Sequence, residues 1–204
     1  MIYQPAEDSY LMSRVLKEQL PSLLAPKGVY PKGTRTSTRP QDFSKEKSTK
    51  GKENPDLRFL EIGSGSGIHL ETAKKLGVKQ KNIFSVDINH NAVLHCQSLG
   101  FNCIYSDLFE NVSGKFDLII FNPPYLPLDS KEDSESALAT TGGESGSEVI
   151  NRFLKEAKNY LNKDGKIFLI TSSLTKGIDF LAFQKKEIGC EKLFFERLCV
   201  WELI

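Results

Sequence analysis

The stretch FLEIGSGSG, Phe59 to Gly67, carries a short apolar run into a glycine-rich turn and on into HLETAKKL, which has helical spacing. Strand, glycine turn and helix in that order open a βαβ unit. The alternation continues downstream, where the apolar runs IFSV, FNCIY, FDLIIF and KIFLIT take turns with the helical stretches NAVLHCQSL and EVINRFLKEAKNYL. Gly77, Gly100 and Gly165 stand where helices end and strands begin, the place for left-handed caps. Such alternation predicts a parallel sheet with helices on both faces. The ending departs from it: EKLFFERLCVWELI, residues 191–204, reads as two strands with a tight polar join, an antiparallel pair on one edge. The expected fold class is α/β, a Rossmann-like and mostly parallel sheet closed by a C-terminal antiparallel hairpin. Phe194, Phe195 and Trp201 are expected in the core or on a sheet face.

With 204 residues the chain suits one domain with one substantial core. A net charge of +1 points to neither nucleic acid nor membrane, and no apolar run is long enough to span a bilayer. MIYQPAEDSY is polar and acidic, unlike a signal peptide. Cys96, Cys103, Cys190 and Cys199 form no CxxC pair and have no histidine at finger-like spacing. That disfavours a bound metal or a disulfide framework and favours a reduced, cytoplasmic compartment. Residues 1–26 read as a helix capped by Asp8 or Ser9 and ending near Pro21. Residues 27–56 are rich in Lys, Ser, Thr, Gly and Pro and read as a basic, flexible, solvated insert. Residues 129–141 are polar, a surface loop or a mobile lid. His69, His90 and His95 read as helix-surface or capping residues.

Glu61 lies inside the first strand, two residues before Gly63. A carboxylate there gains nothing at a dinucleotide site, but it suits S-adenosylmethionine, whose sulfonium and ammonium are cationic. The G-x-G-x-G pattern also lacks the spaced third glycine of the nicotinamide fingerprint. Gly63 and Gly65 let a ligand approach the backbone, and Gly67 allows close packing where the helix starts. Asp87 ends the next strand, placed either to accept two ribose hydroxyls or to cap a helix that Asn89 could cap instead. Asp107 ends the third strand; it is an acceptor for an adenine amino group, with Ile88 and Leu108 packing the base, or a surface turn residue. Three acids at the ends of three successive strands face one crevice.

The fourth strand runs into Asn122-Pro123-Pro124-Tyr125. Prolines fix φ and stiffen the corner, so the Asn122 side chain and the Pro123 carbonyl become preset acceptors. Two close acceptors suit an NH2 group on an sp2 carbon, and Tyr125 offers it a flat face. A methyl group would then pass from sulfur to nitrogen, with catalysis mostly by positioning.

NPPY in this place resembles the amino-group methyltransferases that use S-adenosylmethionine. YQPAEDSYLM, Tyr3 to Met12, and TGGESGSEVINRF, Thr141 to Phe153, are similar to the archaeal and eukaryotic HemK-like release-factor glutamine methyltransferases. The resemblance spans nearly the whole chain except the basic insert. It implies a single methyltransferase domain over residues 1–204, without the bacterial relatives' helical domain, and seven strands in the order 3-2-1-4-5-7-6. It also implies methylation of the glutamine amide in the Gly-Gly-Gln motif of a class I termination factor. Ser9 would touch the cofactor, Glu61 and Gly63 would line its methionine end, Asp87 its ribose, and Asp107 with Leu108 its adenine. Asn122 and Pro123 would hold the substrate amide, with Tyr125 against it. Thr140 and Thr141 stand where relatives often carry tryptophan. A small zinc-binding activator is implied as partner, and the apolar edge strand at residues 101–106 is where it would pair. The alternative is an RNA or DNA exocyclic-amino methyltransferase; a net charge of +1 and the lack of an added recognition domain argue against it.

Overall fold

The computed structural model describes residues 4–25, 56–127 and 140–204. The basic insert lies outside them except for Asp56, as do Tyr3 and residues 129–139 of the polar loop. A first helix, α1 (Glu7–Leu24), is followed by β1 (Phe59–Ile62), α2 (Ile68–Lys75), β2 (Ile83–Asp87), α3 (His90–Ser98), β3 (Asn102–Tyr105) and β4 (Phe116–Phe121). Then come α4 (Glu148–Ala157), β5 (Leu161–Ser172), β6 (Lys185–Leu193) and β7 (Glu196–Leu203). The seven strands form one sheet in the order β3-β2-β1-β4-β5-β7-β6. The first five run parallel; β7 is antiparallel to β5 and to β6.

Strand side chains alternate between faces, so each central strand must be apolar on both sides. Phe59, Leu118, Ile120, Phe168 and Ile170 pack with Leu11, Val15, Leu16, Leu70, Val93 and Cys96, joining α1, α2 and α3 to one face. Leu60, Ile62, Ile119, Phe121, Ile167 and Leu169 pack with Ile150, Phe153 and Leu154 of α4 on the other. Glu61 has the parity of Phe59, so the acid of β1 falls under α1 and α2.

Several expectations need correcting. The residue before α1 is Ala6, which has no side chain able to cap it; Asp8 and Ser9 lie inside the first turn, where Asp8 accepts from Ser9 N and from Asn122. Pro21 lies inside the last turn of α1; its carbonyl still accepts from Ala25 N at 3.1 Å, so the turn closes. Gly165 is not a left-handed cap. It sits in β5, where a Cβ would come within 2.8 Å of the Phe116 carbonyl oxygen, so the position needs smallness. Cys190 and Cys199 are disulfide-bonded. Their separation of nine residues says little along the chain, but the β6–β7 register sets them opposite each other, Cα to Cα 4.2 Å. The join between β6 and β7 is not polar: it is Phe194–Phe195, and both rings stand in solvent. Trp201, by contrast, lies partly buried and donates its indole N–H to Thr171 Oγ1 at 2.9 Å.

Candidate active site

The parallel strands end together, and their register brings the loops into contact. Ile62 pairs with Phe121, so Gly63 and Asn122 leave neighbouring strands side by side. A Cβ on Gly63 would touch the Phe121 ring at 3.7 Å. The glycine loop folds back onto β2: Gly63 N and Ser64 N both donate to Val86 O, and Gly65 N donates to Asp87 Oδ2 at 2.9 Å. Gly65 has φ +48°, and a Cβ there would meet only open space. The loop therefore presents bare backbone to whatever enters.

From the acceptor corner a chain of polar contacts runs back to Glu61. Asn122 Nδ2 donates to Asp8 Oδ2 at 3.0 Å, and the Tyr125 hydroxyl approaches the same oxygen at 3.4 Å. Asp8 Oδ1 accepts from Ser9 N at 2.6 Å and from Ser9 Oγ at 3.2 Å. The Ser9 carbonyl lies 3.0 Å from His69 Nε2, and His69 Nδ1 lies 2.6 Å from Glu61 Oε1. Asp8, Ser9, Glu61 and His69 are all buried. Two oxygens in this group, Asn122 Oδ1 and Glu61 Oε2, are buried without a partner among the described residues. Pro123 is buried, and its carbonyl accepts no hydrogen bond among the described residues. Orphaned buried acceptors carry a desolvation cost, and a ligand donor removes it.

The Gly142–Gly146 segment wraps the corner. Leu126 N donates to Thr140 O and Gly142 N to Leu126 O, each at 2.9 Å, while Thr175 Oγ1 holds the Tyr125 carbonyl at 2.7 Å. Gly146 has φ +82°, and a Cβ there would collide with the Tyr125 carbonyl. The backbone of Thr140 and Thr141 thus forms the outer strap of NPPY-LP.

Asp87 is buried, and burial pushes its carboxyl up despite hydrogen bonds from Gly65 N, Asn89 N and Ser64 Oγ. Helix α3 is capped by Asn89, whose Oδ1 accepts from Asn91 N, so Asp87 is not the cap. Ile88 beside it is an exposed apolar side chain. Asp107 lies past the end of β3 and pairs with Arg152 of α4 at 2.8 Å. Leu108 is buried at φ +49°, a conformation that costs a branched residue roughly 1–2 kcal/mol. Ser106 Oγ braces it by donating to the Leu108 carbonyl at 3.0 Å.

Residue-by-residue reading of the sequence missed Asp8, His69 and Arg152. A signal for His69 existed: an acid in a fully buried strand needs a partner, and the helix after the glycine turn is where one can reach it. His69 is therefore not a surface or capping residue. The Ser9 carbonyl can only accept, so His69 Nε2 bears a proton. A second proton is then shared between His69 Nδ1 and Glu61 Oε1. Burial pushes Glu61 up, only partly opposed by His69; burial pulls His69 down, but the Glu61 charge and hydrogen bond outweigh it, and the net direction is up. With both raised in the folded state, their stabilisation is full below the ordinary values of 4.5 and 6.5 and is lost as pH climbs through the raised ones. The melting temperature should therefore fall as pH rises from 6.5, and Glu61→Gln should flatten that slope. Parallel slopes in a thermal-melt series would refute the shared proton.

A family model described as "Methyltransferase small domain" matches residues 50–192. A Methanocaldococcus jannaschii protein provisionally named protein N5-glutamine methyltransferase is 46% identical over 133 residues, 60% of this chain and 64% of its own. A release factor glutamine methyltransferase of Streptococcus pneumoniae is 32% identical over 128 residues, 56% of this chain and 45% of its own. The chain thus spans about half to two thirds of the length of these relatives. Among solved structures, the E. cuniculi Mtq2-Trm112 complex, described as methylating the eRF1 translation termination factor, matches 99% of this chain and 97% of its own. Its TM-score is 0.64 at 20% identity, a likeness of fold.

Proposed function

Because the chain belongs to the methyltransferase small domain family, we propose that it transfers a methyl group from S-adenosylmethionine to the amide nitrogen of the glutamine in the Gly-Gly-Gln motif of a class I translation termination factor. The observation that carries this reading is the orphaned Asn122 Oδ1. Asp8 is a carboxylate and can only accept, so it draws Asn122 Nδ2 to itself and leaves the oxygen free of protein donors. That oxygen and the Pro123 carbonyl are two acceptors on a stiff corner, matched to the two N–H bonds of a primary amide. The names carried by the glutamine-methylating relatives support the same acceptor.

The residues present fit the cofactor. Glu61 Oε2 is a buried acceptor without a partner, suited to an ammonium, and the space over Gly65 would be filled by a side chain at any other residue. Asp87 would take the ribose, Asp107 and Leu108 the adenine, Ile88 its face, and Ser9 would line the methionine end. When bound, the cofactor supplies a methyl on a cationic sulfur. Asn122 and Pro123 orient the acceptor nitrogen and draw on its protons; Tyr125 keeps the amide plane in place, Pro124 fixes the corner, and the displaced proton leaves to solvent. Incubation with labelled S-adenosylmethionine and a Gly-Gly-Gln termination factor is expected to label that glutamine. Label on RNA, with the factor untouched, would replace this reading with the exocyclic-amino one.

A small zinc-binding activator subunit is part of the proposal, in the cytoplasm where termination factors act. Support comes from β3, an edge strand on which Ile104 and Tyr105 are 40% and 43% exposed. Ile104→Lys should abolish co-purification with such a subunit without lowering the melting temperature of the chain alone. Undiminished co-purification would move the interface elsewhere.

A further inference from the structure

The turn joining β6 to β7 is made of two phenylalanines. Phe194 is 99% exposed and Phe195 87% exposed, and Phe194 holds φ +27°. Two-residue hairpin turns favour Asn-Gly or Gly-containing pairs, whose backbones reach such angles without penalty. Folding gains nothing from either ring, and the backbone at Phe194 is worse for carrying one. Such a turn needs a reason outside the folded chain.

Its position supplies one. Ser172 at the end of β5 pairs with Leu198, and Leu193 pairs with Glu196, so the turn projects beyond the carboxyl end of the sheet, the end that carries Asn122. Ser173 N donates to Arg197 O and Arg197 N to Ser173 Oγ, both at 2.9 Å. Two residues on, Thr175 Oγ1 holds the Tyr125 carbonyl. Three strand spacings separate β4 from β6, about 14 Å across the sheet. On the helix side, Arg14 pairs with Glu191 of β6 at 3.1 Å, and Tyr10, one turn nearer the corner, is exposed. The acceptor corner and the aromatic turn are therefore held rigidly on one rim.

We propose that Phe194 and Phe195 form the docking anchor for the folded body of the protein substrate, inserting into an apolar recess on it while the acceptor side chain enters beside Asn122. This rests on the reading of the substrate as a protein. The nearby charges favour a protein surface over a phosphate backbone: Arg197 is paired with Glu187 at 3.0 Å and Arg14 of α1 with Glu191, which leaves two apolar rings beside a single exposed Lys192 and, among the described residues, no basic stripe. Exposed aromatic rings within a rim of mixed charge are the composition of a protein-binding patch.

The test compares wild type with the double variant Phe194→Gly/Phe195→Ser on a Gly-Gly-Gln termination factor. KM for the factor is expected to rise at least tenfold, with kcat within twofold and with cofactor affinity and melting temperature unchanged. A KM within twofold of wild type overturns the anchor, as does a fall in kcat at constant KM. A wild-type dimer that the double variant dissolves would also overturn it, assigning the turn to a second copy of this chain. If wild type itself fails to methylate the factor, the activity beneath the proposal falls, a result distinct from these because it precedes any comparison of variants.

Discussion

Turnover is expected to fall by about 100- to 1000-fold when Asn122 is replaced by alanine, the usual loss for one preorganised hydrogen-bonding group at a reacting centre. The amide nitrogen of glutamine is a weak nucleophile because its lone pair is shared with the carbonyl. Only groups that grip both its protons can orient that lone pair, and the proposed function gives that task to Asn122 Oδ1 and the Pro123 carbonyl. Cofactor affinity should stay within about twofold, since the buried acceptor for a cation is Glu61, on a different strand. A single-turnover assay with cofactor binding measured by calorimetry separates the two. Wild-type turnover in Asn122→Ala would remove the corner from the chemistry.

Asp8→Asn should lower kcat by about 10- to 100-fold although Asp8 lies outside the NPPY corner. The carboxylate can only accept, and this alone fixes which end of the Asn122 amide faces it. An asparagine at position 8 can donate as well, so Asn122 becomes free to flip and offer donors where the substrate needs an acceptor. Asp8 is thus a positioning residue. Its signature is a loss in kcat with KM and cofactor affinity nearly unchanged, whereas a merely structural role would lower the melting temperature and all constants together. Asp8→Ala is the useful contrast: it removes the partner of Asn122 Nδ2, at about 1–3 kcal/mol of stability. Unaltered kcat in Asp8→Asn would show that something else orients the amide.

The fold was legible because alternation of strand and helix is written in the spacing of apolar residues, and β4 carries the Asn122–Tyr125 corner at its end. FDLIIF followed by two prolines located the corner without reference to any neighbour. The places of the three acids along the sheet could be read as well: Glu61 within β1, Asp87 at the end of β2 and Asp107 just past β3. What could not be read was who meets whom. Asp8 and Asn122 are 114 residues apart, Asp107 and Arg152 are 45 apart, and only tertiary packing joins them. The phenylalanine pair misled for a related reason: apolar character argues for burial, but a two-residue turn has no interior to offer. The cysteines misled because cross-strand register, invisible in sequence spacing, decides which sulfurs face each other.

The contact between α1 and β6 has a bearing on synthesis at the ribosome. Gly189 of β6 is the surface on which α1 rests; a Cβ there would strike Val15 at 2.6 Å, and Leu198 and Val200 of β7 complete the seat. Helix α1 leaves the exit tunnel well ahead of that seat, and until the seat forms it has only its packing on α2 and the central strands and the Ser9–His69 contact to hold it. A nascent chain can thus acquire its central strands and its glycine loop before α1 has its full seat. The seat of α1 is completed only when the earliest helix meets the latest hairpin, so the end of the chain bears on the position of Asp8 at its beginning.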